Sequence, residues 1–411
     1  IGPADRRPRR MELAWHGEES NQFGTDEFMA FCAAVGAEPY ICLNLGTGTI
    51  DEAQAWVEYC NGTGSTEWAR RRRENGHPEP YRVRYWGLGN EMYGDWQLGQ
   101  RSAEDYVREA RQVAKVASLT DPDIELVSCG ESGVSDWDAT VIEGLAPYVR
   151  WHSIHLYTGD EDYWTNVLAP HQAERALRVA GALIEKARHN QRIAHPIHVA
   201  YDEWNVWFRE MDGTRGLEER YNLGDALAVA TYLHAFVRHA DIVKMANLAQ
   251  LVNVIAPIVT SPEGLFLQSI YHPLRLFADH LGDVALDVAV DCDLHEYVPP
   301  GRAGQWPNRF GDLGPFPVLD VVATRSRASG AVMVSVVNRS PEDDVTAEIS
   351  LAGALPEGRA VISEVNAPDW HTVNSFERPD AVSVTETAVD RPRDRWRHRF
   401  PAHSLTVITV A

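Results

Sequence analysis

Six short apolar runs, set among longer amphipathic segments, restrict the fold of this 411-residue chain more than any other feature. They are PYICLNL (39–45), VRYWGLG (83–89), IELVSC (124–129), WHSIHLY (151–157), IHVAYDEW (197–204) and VKMANLAQLV (243–252). Around them, residues 25–36, 49–61, 102–118, 136–147, 171–188, 222–240 and 271–281 repeat apolar side chains at helical spacing. The runs begin roughly 27 to 46 residues apart, which is the length of a strand plus a returning helix. Continuously apolar strands need cover on both faces, so the pattern predicts a parallel sheet with helices outside it. The expected class is α/β, a (β/α)8 TIM barrel. A barrel of that kind needs eight strands and six are visible. Because the chain opens in a loop and enters a helix near residue 25, the first two βα units are expected to be absent.

Near residue 282 the texture changes. VALDVAVD, VLDVVATRS, AVMVSVVNRS, VTAEISLAG, RAVISEVN and SLTVITVA alternate Val, Thr and Ala with polar residues, and turn clusters such as PPGRAG (299–304) separate them. This predicts a C-terminal antiparallel β-sandwich. The expected division is a catalytic barrel over 1–281, incomplete at its N-terminus, and a sandwich over 282–411.

Charge excludes one class of partner. The net charge of −21, from 59 acidic against 38 basic residues, repels phosphate backbones, so no nucleic acid is expected. The one basic block, Arg70–Arg73, is expected at a solvated helix end or loop. No apolar run approaches the ~20 residues of a membrane span, and the opening IGPADRRPRRMELAW lacks the apolar stretch of a secretory signal. Five scattered cysteines without CxxC spacing fit buried free thiols in a reducing, cytoplasmic compartment better than a zinc site or a disulfide framework.

Polar groups fall at the C-terminal ends of five of the six runs: Asn44, the pair Asn90–Glu91, His155 with Tyr157, Asp202 with Glu203, and Gln250 with Asn253. In a parallel barrel those ends line a shared mouth, so a ring of them predicts a polar pocket. A strand-end glutamate by itself is most often a helix cap or an ion-pair partner. Two of them, each flanked by Trp or Asn, point elsewhere. With no phosphate loop, metal spacing or nucleophile elbow, paired carboxylates suit glycoside hydrolysis, which needs one proton donor and one nucleophile or base. Glu91 is expected to be the acid, its pKa raised by an apolar surround such as Trp96. Glu203 is expected to stay ionised, held by donors such as the Tyr157 hydroxyl. Asp202 should point to the opposite face of its strand, and His155 should serve as a hydrogen-bonding residue. Tryptophans 15, 96 and 207 are core residues by default, yet near enough to the polar ring to stack on a ligand.

The blocks RPRRMELAW, FGTDEFMAFCAAVGAEPYICLNLGTGT, WVEYCN, GLGNEM, DEWNVW and LAQLVNVIAPI closely resemble the α-L-arabinofuranosidases of glycoside hydrolase family 51, in unbroken order along nearly the whole barrel portion. The resemblance weakens in the sandwich and over 160–196. It implies a retaining enzyme that removes terminal arabinofuranosyl groups from arabinan, arabinoxylan or their oligosaccharides, with no metal and no coenzyme. It implies Glu91 as general acid/base and Glu203 as nucleophile. Asn90, Tyr157 and Gln250 match positions that contact the furanose or the nucleophile, and Trp15 and Trp207 match aromatic walls. Members are commonly intracellular and oligomeric, often hexameric. They also carry upstream segments with the first barrel strands, so the chain is expected to be a fragment. Two alternatives stand beside this reading: a β-xylosidase or endo-glucanase on the same scaffold, and an inactive carbohydrate-binding fragment.

Overall fold

The computed structural model describes residues 1–13, 17–211, 217–352, 359–390 and 395–410. The chain forms two compact units, residues 1–155 with 177–201 and residues 156–176 with 202–411.

In the first unit, β1 (Tyr40–Leu43), β2 (Tyr85–Leu88) and β3 (Glu125–Ser128) pair in parallel, and β3 pairs in parallel with the start of β4 (Trp151–Thr158). β5 (His198–Val206), which like β4 runs from the first unit into the second, and β6 (Val243–Leu248), in the second, continue the same sequential strand order, the order of a (β/α)8 barrel. α1 (Thr25–Val35) precedes β1, and the helices between the strands of this unit are α2 (Ile50–Asn61), α3 (Glu67–Glu74), α4 (Ala103–Thr120) and α5 (Asp136–Leu145). Their starts are legible in the chain: Thr49 and Glu52 exchange hydrogen bonds in a capping box at α2, as Ser135 and Asp138 do at α5. Leu43, Trp86, Leu88, Tyr106, Val113 and Val141 form the core of this unit.

The basic block departs from expectation. It lies within α3, where Arg70 and Arg71 pair with Glu74 and Glu67 on the exposed side, but Arg72 is fully buried. Its guanidinium donates to the carbonyls of Tyr59 (2.8 Å) and Gly62 (2.9 Å). It thereby satisfies acceptors that the end of α2 leaves without helical partners, which is why a cation is tolerated there. The thiols also differ from expectation. Cys32, Cys60 and Cys129 are buried, but Cys42 is exposed because it faces away from its buried strand neighbours Ile41 and Leu43. Among the described residues, no helix is long and apolar enough to cross a membrane.

The second unit carries α6 (Tyr163–Leu168), α8 (Leu223–Arg238), α9 (Tyr271–His280) and the start of α7 (His171–Gln191). Its strands are β7 (Val284–Leu286), β8 (Leu319–Arg325), β9 (Val332–Asn338), β10 (Val345–Ser350), β11 (Ala360–Asn366), β12 (Ser383–Val389), β13 (Arg395–Phe400) and β14 (Ser404–Val410). An antiparallel sheet runs β7-β8-β9-β14-β11-β12, and β10 pairs with β13. One face of the large sheet packs Val337, Leu405 and Val407 against Leu227, Ala230 and Phe277 of α8 and α9. The other packs Val334, Val336 and Ile408 with Val345, Ile349, Trp396 and Phe400 of β10 and β13. Cover on both faces explains why all seven residues of β9 are buried.

Charge is also buried here. Asp320 on β8 contacts Arg339 (2.7 Å), Arg238 (2.8 Å) and His234 (3.2 Å), with Arg339 and His234 fully buried. The Arg339 contact, from Nη2 to Oδ2, is an ion pair without hydrogen-bond alignment, since Asp320 Oδ2 has no well-formed hydrogen bond. Burial pushes the Asp320 carboxyl up, but Arg339, Arg238 and His234 outweigh it and hold the group well below the usual range. Asp320→Ala should cost about 3–5 kcal/mol, because it leaves a buried guanidinium uncompensated. Urea unfolding checks this, and removing Glu348 from its exposed pair with Arg395 should move the midpoint little. A depressed carboxylate stabilises only while ionised. The Asp320 contribution should therefore be complete above about pH 4 and fade as the pH falls towards the folded-state value.

Candidate active site

The first glutamate follows β2. Gly89 turns the chain with φ +83°, and a Cβ there would lie 2.9 Å from Met92 Cγ and 3.1 Å from Leu45 Cβ, so only glycine fits. Glu91 itself adopts φ +48°, a region that L-residues seldom occupy outside functional sites. Its Oε1 lies 3.0 Å from Nδ1 of His155 and accepts from the Tyr93 hydroxyl at 3.3 Å; its Oε2 accepts from Trp96 Nε1 at 2.6 Å. The buried His155 is set in place by its own backbone N–H, which donates to the Glu131 carbonyl at 2.8 Å.

The expected role of Trp96 is corrected by this geometry. Its ring is 56% exposed and presents an N–H to the carboxylate instead of an apolar wall. Burial does push the Glu91 carboxyl up, but His155, Trp96 and Tyr93 together hold it below the ordinary glutamate value. The predicted upward shift is therefore reversed in the free protein.

The second glutamate sits on β5. Glu203 Oε1 accepts a 2.6 Å hydrogen bond from the Tyr157 hydroxyl, the donor expected from the sequence. Tyr157 is held edge-on by Trp207 (ring centroids 5.1 Å, 73°) and lies nearly parallel to Trp306 (6.1 Å, 18°). Trp306 donates its indole N–H to the Trp207 carbonyl at 2.5 Å. Buried Asn205 donates to the carbonyls of Ala249 (2.6 Å) and Ile255 (2.7 Å), tying β5 to the segment that carries Gln250.

His155 and Tyr157 are two residues apart on β4 and so share one of its faces. Asn90 and Gln250 are exposed, Gln250 directly after a cis Ala249–Gln250 peptide. Asn44 is exposed as well, but its amide oxygen accepts from the N–H groups of Gly46 and Thr47, both at 3.0 Å, so it shapes its own loop. Asn253 likewise serves the hairpin Ile258–Ser261/Gly264–Leu267 through Thr260. Asp202 is half-buried. Trp15 lies outside the described residues. Two residues near Glu203 escaped the sequence reading. Asn205 stands in plain view inside DEWNVW, as a polar residue in an apolar run. Trp306 sits in a Pro/Gly/Asn-rich loop, where an isolated tryptophan was itself the signal.

Comparison with known proteins places the chain. Residues 1–175 match the family model of the alpha-L-arabinofuranosidase 1 domain, and residues 202–404 that of the alpha-L-arabinofuranosidase C-terminal domain. A probable alpha-L-arabinofuranosidase C of Aspergillus clavatus is 41% identical over 99% of this chain and 81% of that protein. An intracellular exo-alpha-(1->5)-L-arabinofuranosidase of Halalkalibacterium halodurans is 35% identical over 85% of this chain and 71% of the relative. The solved structure of the family 51 alpha-L-arabinofuranosidase from Thermotoga petrophila superposes with a TM-score of 0.90 at 36% identity, covering 100% of this chain and 83% of the other. The chain thus belongs to the α-L-arabinofuranosidases of glycoside hydrolase family 51, with their TIM barrel and β-sandwich.

Proposed function

We propose that the protein is a retaining exo-α-L-arabinofuranosidase that releases terminal α-L-arabinofuranosyl groups from arabinan- or arabinoxylan-type oligosaccharides by double displacement. The observation that carries this reading is the pairing of each glutamate with a donor on one strand, His155 with Glu91 and Tyr157 with Glu203. In the first step Glu203 attacks the anomeric carbon, the bond to the departing oxygen breaks, and Glu91 supplies that oxygen's proton. In the second, Glu91 takes a proton from water, and the water displaces Glu203 with the original configuration restored. The low Glu91 value in the free protein bears on the first step. Glu91 must carry a proton for that step, and the His155 imidazole, 3.0 Å from its Oε1, is placed to supply it. Asn90 and Gln250 are the proposed hydrogen-bonding contacts to the sugar, and Trp207 a proposed wall. A cytoplasmic location belongs to the same reading, supported by five cysteines that form no disulfide among the described residues and by the relative described as intracellular. So does assembly into a homo-oligomer, which sedimentation of the purified protein tests.

Wild-type protein should liberate arabinose from p-nitrophenyl α-L-arabinofuranoside faster than it acts on the aryl β-xyloside or on cellulose. Glu203→Ala should lower kcat by about a thousandfold or more. Azide should restore turnover by entering the vacated position, giving the β-configured glycosyl azide. Wild-type rates in both Glu203→Ala and Glu91→Ala would refute the mechanism.

His155→Ala tests the proton inventory. Without the imidazole, burial acts against weaker opposition and the Glu91 carboxyl titrates higher. Glu91 must be protonated for the first step, so the basic limb of the kcat/KM profile should move to higher pH. An unmoved limb would show that His155 does not tune the acid.

A further inference from the structure

The loop between the short paired strands Leu294–His295 and Phe316–Pro317 is fastened at several points. Arg302 donates to buried Asp160 at 2.5 Å, just beyond the end of β4. The Tyr297 hydroxyl lies 3.0 Å from Thr165 Oγ1 and accepts from Asn308 at 2.5 Å. Arg175 donates to the Arg309 carbonyl at 2.9 Å. Gly304 lets the loop approach closely, since a Cβ there would lie 2.2 Å from an Asp160 carboxylate oxygen. A loop held this firmly presents its side chains in fixed places.

What it presents is Trp306. The indole lies along Tyr157, 6.3 Å from the Trp207 ring, and its N–H ends on the Trp207 carbonyl, so its polar edge is satisfied while the ring stays half-exposed. The Tyr157 hydroxyl at the other end of this stack touches Glu203. An aromatic face is thus set one ring outward from the nucleophile carboxylate. Sugar rings present C–H faces that pack on such surfaces, and a half-exposed indole of fixed orientation offers one at little entropic cost. An exo-acting site admits a single furanose at Glu203, where Tyr157 and Trp207 already stand. A half-exposed face one ring away from that sugar is accessible to a neighbouring unit of the substrate.

We propose that Trp306 is a specificity-determining residue, whose indole stacks on the sugar unit at the leaving-group side of the bond cleaved at Glu203. The inference rests on the glycosidase reading above. It makes the 296–311 segment, which the sequence assigns to the sandwich, a part of substrate recognition. The protein is then tuned to oligosaccharides over simple glycosides.

Two substrates separate the possibilities: α-1,5-linked arabinobiose, with a sugar as leaving group, and α-L-arabinofuranosyl fluoride, whose leaving group is one atom. Trp306→Ala should lower kcat/KM for arabinobiose about tenfold, carried mainly by KM, with a much smaller loss on the fluoride. Trp306→Phe keeps an aromatic face and should recover most of the loss, whereas Arg302→Ala, which unfastens the loop from Asp160, should fall between the two. Equal losses on both substrates would assign the indole to the cleaved sugar or to folding. No loss on either would remove it from the substrate path. Both outcomes overturn the proposal. If the wild type cleaves neither substrate, it is the glycosidase reading that fails, before any variant is compared.

Discussion

Taking a carboxylate out of water is the cost around which the strand ends are arranged. A half-buried glutamate must either gain a proton or find donors, and here each of the two finds donors. Glu203 takes a phenol; Glu91 takes an imidazole, an indole and a second phenol. The two sets differ in a way that suits different tasks. The phenol donates a hydrogen bond to the carboxylate and holds it in place. An imidazole exchanges protons within the physiological range, so it can share one with the neighbouring acid.

The architecture was readable because its signals are long and repeated. Six apolar runs and seven amphipathic segments each reappear as strands and helices within a few residues of their expected limits, since burial on both faces leaves a strand little compositional freedom. Of the strands in the two C-terminal sheets, β12 and β13 are the ones the pattern does not show, and they are polar. RWRHRF places Trp396 and Phe400 inward between arginines, a period-two pattern in which charge conceals the strand. Site chemistry was less legible. The two glutamates and Tyr157 stood out by position, but the direction of the Glu91 shift depends on which edge of Trp96 meets it. No local pattern reports the orientation of an indole. The asparagines illustrate the same limit, because Asn44 and Asn253 have the right residue type at the right place and are engaged by their own turns.

Charge elsewhere in the molecule obeys the same rule by other means. Arg72 is buried against carbonyls, with no acid required, because a helix end already supplies partial negative charge. Asp320 instead gathers Arg238, Arg339 and His234, linking α8 to strands of the sheet it covers. Localised contacts of this kind, the Arg238 hydrogen bond to Asp320 above all, restrict how a helix sits on an apolar surface that would otherwise accept several seatings.

That restriction matters most for β9. A strand with one wet side is protected against slipping by a residue, since the slip would turn its oily side chains into solvent. β9 has no wet side, so hydrophobicity alone would tolerate the shifted alignment. Its register must therefore be read from its few polar groups. Ser335 meets His234 at 2.8 Å, and the Asn338 amide reaches three carbonyls beyond the strand end. Those two side chains act as index marks, and a frame displaced by one residue would leave both without partners inside the protein.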